Sequence, residues 1–167
     1  MTRQIFTYPN EVLRQKAKNI ERVTREIRDL AKDMQETMYA NKGIGLAAPQ
    51  VGESCKLITL DVGEEDGSNL FTLVNPEISE KQGSVETEEA CLSLPEYKGK
   101  VQRAEKVVVT GWDLEEEDRE IQADGLLAIC LQHEIDHLYG IILLDYASRL
   151  KRNMYEKKIE KCGKNKN

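Results

Sequence analysis

The chain has 167 residues, 40% of them hydrophobic and 32% charged, a composition typical of a globular protein that excludes a disordered chain. The formal net charge of −6 argues against general binding to nucleic acid, DNA included. Because neither the start of the chain nor its apolar runs predict a secretion signal or a membrane span, we expect one domain, residues 1–167, with no membrane partner.

The first predicted elements are two helices. Asn10 can cap a short helix that reaches about Lys18, and Thr24 can cap a longer one. Apolar residues recur at helical spacing in the longer helix: Ile27, Leu30, Met34 and Met38. Gly43 and Gly45 end this pattern.

Strand-like runs follow in the middle of the chain, and they predict two hairpins. The first joins residues 56–61 to residues 70–75 through a turn at 63–69. The second joins residues 107–113 to residues 119–123 through an acidic segment at 114–118.

Two further helices are predicted after the strands. Residues 126–139 indicate a buried helix that ends at Gly140, and residues 149–161 indicate a final amphipathic helix. Strands clustered between N-terminal helices and a C-terminal helix predict an α+β fold, with antiparallel strands packed around the helix at 126–139.

The four cysteines form no CxxC pair and no evident disulfide framework: Cys55, Cys91, Cys130 and Cys162. Without a secretion signal we expect reduced thiols in a cytoplasmic protein. A reduced cysteine is most often a small apolar core residue, but it is also available as a metal ligand or a catalytic group.

The most informative segment is HEIDH at residues 133–137. Side chains four residues apart on a helix lie nearly above one another, so His133 and His137 can bind one ion. Glu134 would then lie beside the open coordination position, where it can take a proton from water. These are the chain's only histidines, and a catalytic metal needs a further protein ligand.

Three positions are candidates for that further ligand, two of them from known zinc-protease patterns. The metzincin pattern requires a histidine at position 143, where this chain has Leu143, so it fails. A thermolysin-like zinc endopeptidase would use Glu156, although that residue lies in a Lys/Arg-rich segment and more simply pairs with neighbouring lysines. Cys91 is the other candidate, because a thiolate binds zinc or ferrous iron strongly.

Three separated motifs resemble those of the peptide deformylase family. GIGLAAPQ at residues 43–50 matches the first motif, and QHEIDHLYG at residues 132–140 matches the third in full. EACLS at residues 89–93 matches the second, except that Ala90 stands where the family has glycine. The motifs occur in the family's order, and the similarity in element layout extends from about Ile5 to Lys161. The resemblance implies a hydrolase that removes the formyl group from formyl-methionine at the N-terminus of nascent polypeptides.

The resemblance implies a metal site with three protein ligands: Cys91, His133 and His137. Glu134 would be the general base, while the side-chain amide of Gln50 and the backbone N–H of Leu92 would stabilise the oxyanion. The family implies Fe²⁺ as the metal, with Zn²⁺ or another divalent metal able to replace it.

The resemblance also implies a pocket for the substrate methionine, formed by Ile44, Gly45, Leu126, Ile129 and Cys130. A glycine at position 45 would let an extended substrate backbone approach closely. Plain core packing would explain the last three residues equally well.

Other positions carry further expectations. The resemblance implies that Asp136 pairs with Arg103 and does not bind the metal. If the backbone at Ala90 has positive φ, alanine there costs about 1 kcal/mol and narrows the substrate groove. Tyr97 and Lys98 stand where many relatives carry an arginine.

The C-terminal segment, residues 149–167, is basic: eight Lys/Arg oppose Glu156 and Glu160, a local charge of +6. It is either a solvated helix and tail or a patch for an anionic partner. Because the implied substrate is a nascent chain, we expect residues 149–166 to dock on ribosomal RNA. Two other functions stay open, an HExxH zinc endopeptidase and a non-catalytic metal-binding relative.

Overall fold

The computed structural model describes residues 1–63 and 67–164. Its helices are α1 (Arg25–Ala40), α2 (Gly125–Leu138) and α3 (Arg149–Lys164), with three short 3₁₀ helices at Glu11–Arg14, Ala48–Val51 and Leu143–Tyr146. Its strands are β1 (Gly45–Ala47), β2 (Leu57–Leu60), β3 (Phe71–Gln82), β4 (Val85–Cys91), β5 (Leu94–Arg103), β6 (Lys106–Trp112) and β7 (Asp118–Asp124). The predicted α+β class is therefore confirmed. No helix in the described part of the chain is long and apolar enough to span a membrane.

Five strands form one sheet in the order β1-β2-β3-β6-β7, and every neighbouring pair is antiparallel. Strands β4 and β5 form a separate antiparallel hairpin. Successive side chains of a strand point to opposite faces. Leu57 belongs to the apolar cluster of α1 and Ile58 to that of α2, so the two helices cover opposite faces of the sheet.

The N-terminal caps are as expected, but the first helix is shorter than predicted. The Thr24 side chain accepts a hydrogen bond from the amide of Ile27, and Asn10 accepts one from Val12. The first helix ends at Arg14 instead of about Lys18. The chain leaves the helix there because Ala17 donates to the carbonyl of Leu138 at 2.8 Å, which draws it onto the end of α2.

The hairpin β6–β7 and strand β2 agree with the predicted strands, whereas β3 is much longer than residues 70–75. Proline usually ends a strand, because it lacks an N–H for the ladder. Here Asn75 takes a positive φ of 51°, a register shift follows Val74, and the strand continues through Pro76 to Gln82. Residues 64–66 of the predicted turn at 63–69 lie outside the described residues.

The hairpin β4–β5 was not predicted. Strand β4 reads VETEEAC and is mostly polar, so it lacks the alternation of apolar residues that marks a strand. Its register pairs Cys91 with Leu94 across the turn, which places the candidate ligand Cys91 at the end of a strand.

Candidate metal centre and substrate pocket

Helix α2 carries both histidines, and their ring centroids are 5.1 Å apart. Gln132 fixes this helix to the residue that follows β5. Its side-chain nitrogen donates to the carbonyl of Ala104 at 3.0 Å, and its side-chain oxygen accepts from the amide of Ala104 at 2.9 Å. The helix bearing the histidines is thereby anchored to the hairpin bearing the cysteine.

The three implied ligands converge on one point. The ligand atoms of Cys91, His133 and His137 all lie within 4.8 Å of one another. Cys91 Sγ is 3.3 Å from His137 Nε2, and two such ligands on one tetrahedral zinc would be roughly 3.5 Å apart. One sulfur and two imidazole nitrogens suit a divalent transition metal, so these residues fit the implied ion.

The competing candidate for the third ligand, Glu156, lies apart from the two histidines. The hydroxyl of Tyr8 donates to Glu156 at 2.9 Å, so Glu156 is bound to a tyrosine and not, as expected, to neighbouring lysines. Among the described residues, the group of three that could hold an ion contains Cys91 and no part of α3. The geometry therefore gives no support to the thermolysin-like pattern.

A buried ion-pair network orients His133. Its Nδ1 lies 3.1 Å from Glu89 Oε1, which leaves Nε2 free for an ion. Arg103 donates to both oxygens of Glu89 at 2.9 Å and to Asp136 at 2.7 Å, so the expected pair with Asp136 is present. Burial opposes ionisation of Glu89, but hydrogen bonds from His133, Arg103 and Thr87 lower its pKa to about 2.

The remaining titratable groups of the site differ in charge. Burial, with smaller contributions from the neighbouring His133 and Arg103, holds the pKa of His137 well below its usual range, so this imidazole is neutral and one of its ring nitrogens can bind an ion. Burial raises the pKa of Glu134 to about 7, although His133 and Arg103 oppose the shift. Glu134 Oε2 is buried without a hydrogen-bond partner among the described residues.

The implied substrate-binding residues line one pocket of about 440 Å³ that opens onto the metal site. It contains all five of them: Ile44, Gly45, Leu126, Ile129 and Cys130. Leu126 is 52% exposed, so plain core packing does not explain it, whereas Cys130 is 5% exposed and belongs to the apolar cluster of α2. Gly45 leaves no room for a side chain, because a Cβ there would lie 2.5 Å from Glu134 Oε1 and 2.8 Å from Cys130 Sγ.

The two implied oxyanion donors flank Cys91. Gln50 is 2% exposed, and its Nε2 lies 3.5 Å from Cys91 Sγ and 3.1 Å from Ser93 Oγ. Its side-chain oxygen accepts from the amide of Ala47 at 3.0 Å, which fixes which end of the amide faces the site. Leu92 lies in the turn between β4 and β5, and its backbone N–H has no partner among the described residues.

The departures from the family pattern lie beside this pocket. Ala90 is exposed within β4 and does not have positive φ, so the expected strain does not arise. It lines the pocket together with Leu92. Tyr97 is buried against Tyr155 with ring centroids 5.1 Å apart, and the Lys98 side chain is exposed.

The sequence did not reveal the residues that hold the site's side chains in position. Glu89 and Ser93 belong to the second motif but received no role, and Thr87 was not considered. Glu89 precedes His133 by 44 residues, and no periodicity connects them. The one available signal was an ionisable side chain two positions before the candidate ligand Cys91.

Known proteins resemble this chain over nearly its whole length. The family model of polypeptide deformylase matches residues 2–153. A peptide deformylase from Legionella pneumophila is 43% identical with a TM-score of 0.94, over 99% of this chain and 98% of that one. One from Ehrlichia chaffeensis is 36% identical with a TM-score of 0.91, over 98% and 97%. One from Synechococcus elongatus, in complex with actinonin, is 40% identical with a TM-score of 0.88, over 93% and 86%.

Proposed function

The chain belongs to the polypeptide deformylase family, and from that premise we propose that Cys91, His133 and His137 hold the metal ion of its active site. The enzyme hydrolyses the N-formyl group of nascent polypeptides and releases formate. The observation that carries the proposed site is the convergence of one sulfur and two imidazoles within 4.8 Å, beside a buried carboxyl.

When bound, the ion acts as a Lewis acid that polarises the formyl carbonyl and lowers the pKa of a water molecule to near neutrality. We infer Fe²⁺ as the native metal, with Zn²⁺ or another divalent metal able to replace it; the ligand chemistry suits both. Anaerobic purification followed by metal analysis and a formate assay tests this. Higher activity of the zinc form than of the iron form would contradict it.

Glu134 moves the proton. With a pKa of about 7, its carboxyl can take a proton from the attacking water and deliver it to the departing amine at neutral pH. Its unpartnered Oε2 is the atom available for this transfer. The amide of Gln50 and the backbone N–H of Leu92 donate to the carbonyl oxygen as it becomes negative.

The substrate lies along β1. This strand is at one edge of the five-stranded sheet, so an extended peptide can add to it, with Gly45 allowing close approach. The methionine side chain enters the apolar part of the pocket, bounded by Leu126, Ile129 and Cys130, and Ile44 closes the opposite side.

Incubation of the iron-loaded enzyme with a formyl-Met tripeptide tests the function directly. We expect one formate per free α-amine formed, and we expect actinonin to block this release because it binds the Synechococcus elongatus relative. A folded, metal-loaded sample that releases no formate would refute the activity.

We infer a reducing, cytoplasmic location. All four cysteines are free in the structure, and the proposed ligand Cys91 functions only as a thiolate. Fractionation of the source cells with antibody detection tests this, and recovery from an oxidising compartment would contradict it.

We propose that helix α3 docks on the ribosome. Some of its cations bind other parts of the protein, and others are exposed. Lys151 and Lys158 bind the β5 region, through the carbonyl of Lys98 and the carboxylate of Glu96. Lys157 and Lys161 are exposed without an ion pair among the described residues and are free for phosphates. Lys166, part of the predicted basic tail, lies outside the described residues.

Charge reversal tests this docking without removing the packed part of α3. The double variant Lys157→Glu and Lys161→Glu should weaken sedimentation with ribosomes. It should also reduce, by roughly two, the slope of the logarithm of the binding constant against the logarithm of salt concentration. The matched control is Lys81→Glu with Lys106→Glu, two exposed lysines of β3 and β6. Equal weakening by both pairs would show only a general effect of net charge, and no weakening would exclude α3 as the contact.

A further inference from the structure

The network behind His133 extends beyond Arg103 to the 3₁₀ helix Leu143–Tyr146. The hydroxyl of Tyr146 donates to Asp136 Oδ2 at 2.7 Å, and Arg103 donates to the same oxygen at 2.7 Å. The guanidinium of Arg103 also lies over the Tyr146 ring, 5.0 Å from its centroid. An unbroken chain of contacts therefore runs from Tyr146 through Asp136, Arg103 and Glu89 to His133.

Tyr146 is held in place from two sides. Asp145 is bound by Arg14 at 2.6 Å and accepts from the amide of Ile142 at 2.9 Å. Arg152 of α3 donates to the carbonyl of Leu144 at 3.2 Å. The short 3₁₀ helix is thus fixed independently of α2, and it presents the tyrosine hydroxyl at a defined position.

The geometry points to Tyr146 as a positioning residue of the metal centre, one that sets the orientation of His133 through Asp136, Arg103 and Glu89. This inference rests on the ligand set proposed above. Arg103 is shared between two carboxylates and its side chain is 4% exposed. A planar guanidinium can serve both only if each carboxylate keeps its orientation, and the hydroxyl of Tyr146 supplies the second bond that holds Asp136.

Core packing alone does not account for Tyr146. The residue is 42% exposed, so its burial contributes less than that of a core aromatic residue. Its specific contacts are a hydrogen bond to the carboxylate of Asp136, a longer hydrogen bond accepted from Arg103 at 3.4 Å, and a cation–π contact. Phenylalanine would preserve the ring contact and remove only the two hydrogen bonds of the hydroxyl, which makes Tyr146→Phe a specific probe of that group.

The experiment measures the transfer of Zn²⁺ from the zinc-loaded enzyme to an excess of a chromogenic chelator. Loss of an outer partner of a metal ligand typically weakens metal binding 10- to 100-fold. We expect Tyr146→Phe to release zinc about 10-fold faster than the wild type, with an unchanged unfolding midpoint of the metal-free protein. In an Asp136→Asn background, Tyr146→Phe should have a much smaller effect, because the 2.7 Å bond to Asp136 is the main link and the direct bond from Arg103, at 3.4 Å, is weak.

Tyr139→Phe is the matched control. Tyr139 is 40% exposed, contacts two lysines through its ring, and its hydroxyl makes no hydrogen bond within the described part of the chain. Its variant should release zinc at the wild-type rate. A wild-type rate for Tyr146→Phe, or equal acceleration in the Asp136→Asn background, would overturn the inference. Failure of the ligand set is recognised separately, since Cys91→Ala would then still bind one zinc per chain.

Discussion

Glu134 illustrates, at the residue scale, how burial can produce a group suited to proton transfer. A carboxylate in water has a pKa near 4 and is a weak base at neutral pH. Burial in the pocket raises the pKa of Glu134 to about 7, so both protonation states are populated at neutral pH. Its Oε1 faces Gly45, where a Cβ would stand 2.5 Å away, whereas Oε2 remains unpartnered among the described residues.

Substitution Glu134→Gln should therefore retain the metal and lose turnover. Glutamine keeps the shape of the side chain but cannot accept and return a proton, and general base catalysis contributes about 10²- to 10⁴-fold. We expect kcat to fall within that range at unchanged metal content. Glu120→Gln, at an exposed position of β7, provides the control with wild-type kcat. Undiminished turnover of the Glu134 variant would refute the assigned base.

Gly45→Ala should impair catalysis through steric contact. The new Cβ would lie 2.5 Å from Glu134 Oε1, and overpacking of this kind costs about 1–3 kcal/mol. If the contact displaces Glu134 and this cost appears in the transition state, kcat/KM drops about 10- to 100-fold. Gly163→Ala is the matched control, because a Cβ there meets nothing within 4 Å, and it should leave kcat/KM unchanged. Normal catalysis by the Gly45 variant would mean that the pocket relaxes freely.

Arg103 connects, at the element scale, the hairpin and the helix that carry the proposed metal ligands. It lies at the end of β5, binds Glu89 of β4 through two nitrogens, and reaches Asp136 of α2 with a third. All of these bonds are buried or partly buried, so removing the cation would leave uncompensated negative charge. The hairpin and the helix are thus held together by one side chain.

The variant Arg103→Met should lower the free energy of unfolding by about 3–5 kcal/mol in the metal-free protein, because both carboxylates lose their partner. Equilibrium urea unfolding measures this difference. Arg119→Met removes an ion pair in which the arginine side chain is 57% exposed, and it should cost at most about 1 kcal/mol. A small loss at position 103, similar to that at position 119, would show that the buried network does not join the two elements.

Glu89 should make the metal-free protein sensitive to acid. Its pKa in the folded state is about 2, below the value of about 4.5 for an unperturbed glutamate, so the unfolded chain binds the proton more readily. The stabilisation, about 3 kcal/mol, is present above pH 4.5 and is lost as the pH falls towards 2. The stability difference between the wild type and Glu89→Gln, measured in urea, should shrink over that range. A constant difference would contradict the assignment.

Much of the whole molecule follows from local sequence signals. Short windows encode the caps at Thr24 and Asn10, the helical periodicity of α1, the apolar run of α2 and the hairpin β6–β7. The convergence of His133 and His137 also follows from spacing on one helix. These features need no information on tertiary contacts.

The proposed third ligand and the residues that orient the ligands are not encoded in short windows of sequence. Cys91 lies at the end of a strand whose mostly polar sequence carries no strand pattern, so spacing left it as one candidate, and only the family motifs selected it. The contact of Glu89 with His133 spans 44 residues and that of Arg103 with Asp136 spans 33. Such contacts depend on how the hairpin and α2 dock, which a single sequence does not reveal.

Because tertiary contacts within the protein hold the proposed ligands, we can predict how the whole molecule responds to metal removal. The ligand atoms are brought together by protein contacts, those of Arg103 and Gln132 above all, so the chelated protein should stay folded. Metal binding should then only add stability, about 4 kcal/mol at a thousandfold excess over Kd, which raises Tm by roughly 10 °C. Calorimetry with and without chelator measures the shift. Cys91→Ala should abolish the shift while unfolding near the metal-free Tm; chelation that melts the secondary structure would instead make the ion a structural requirement of the fold.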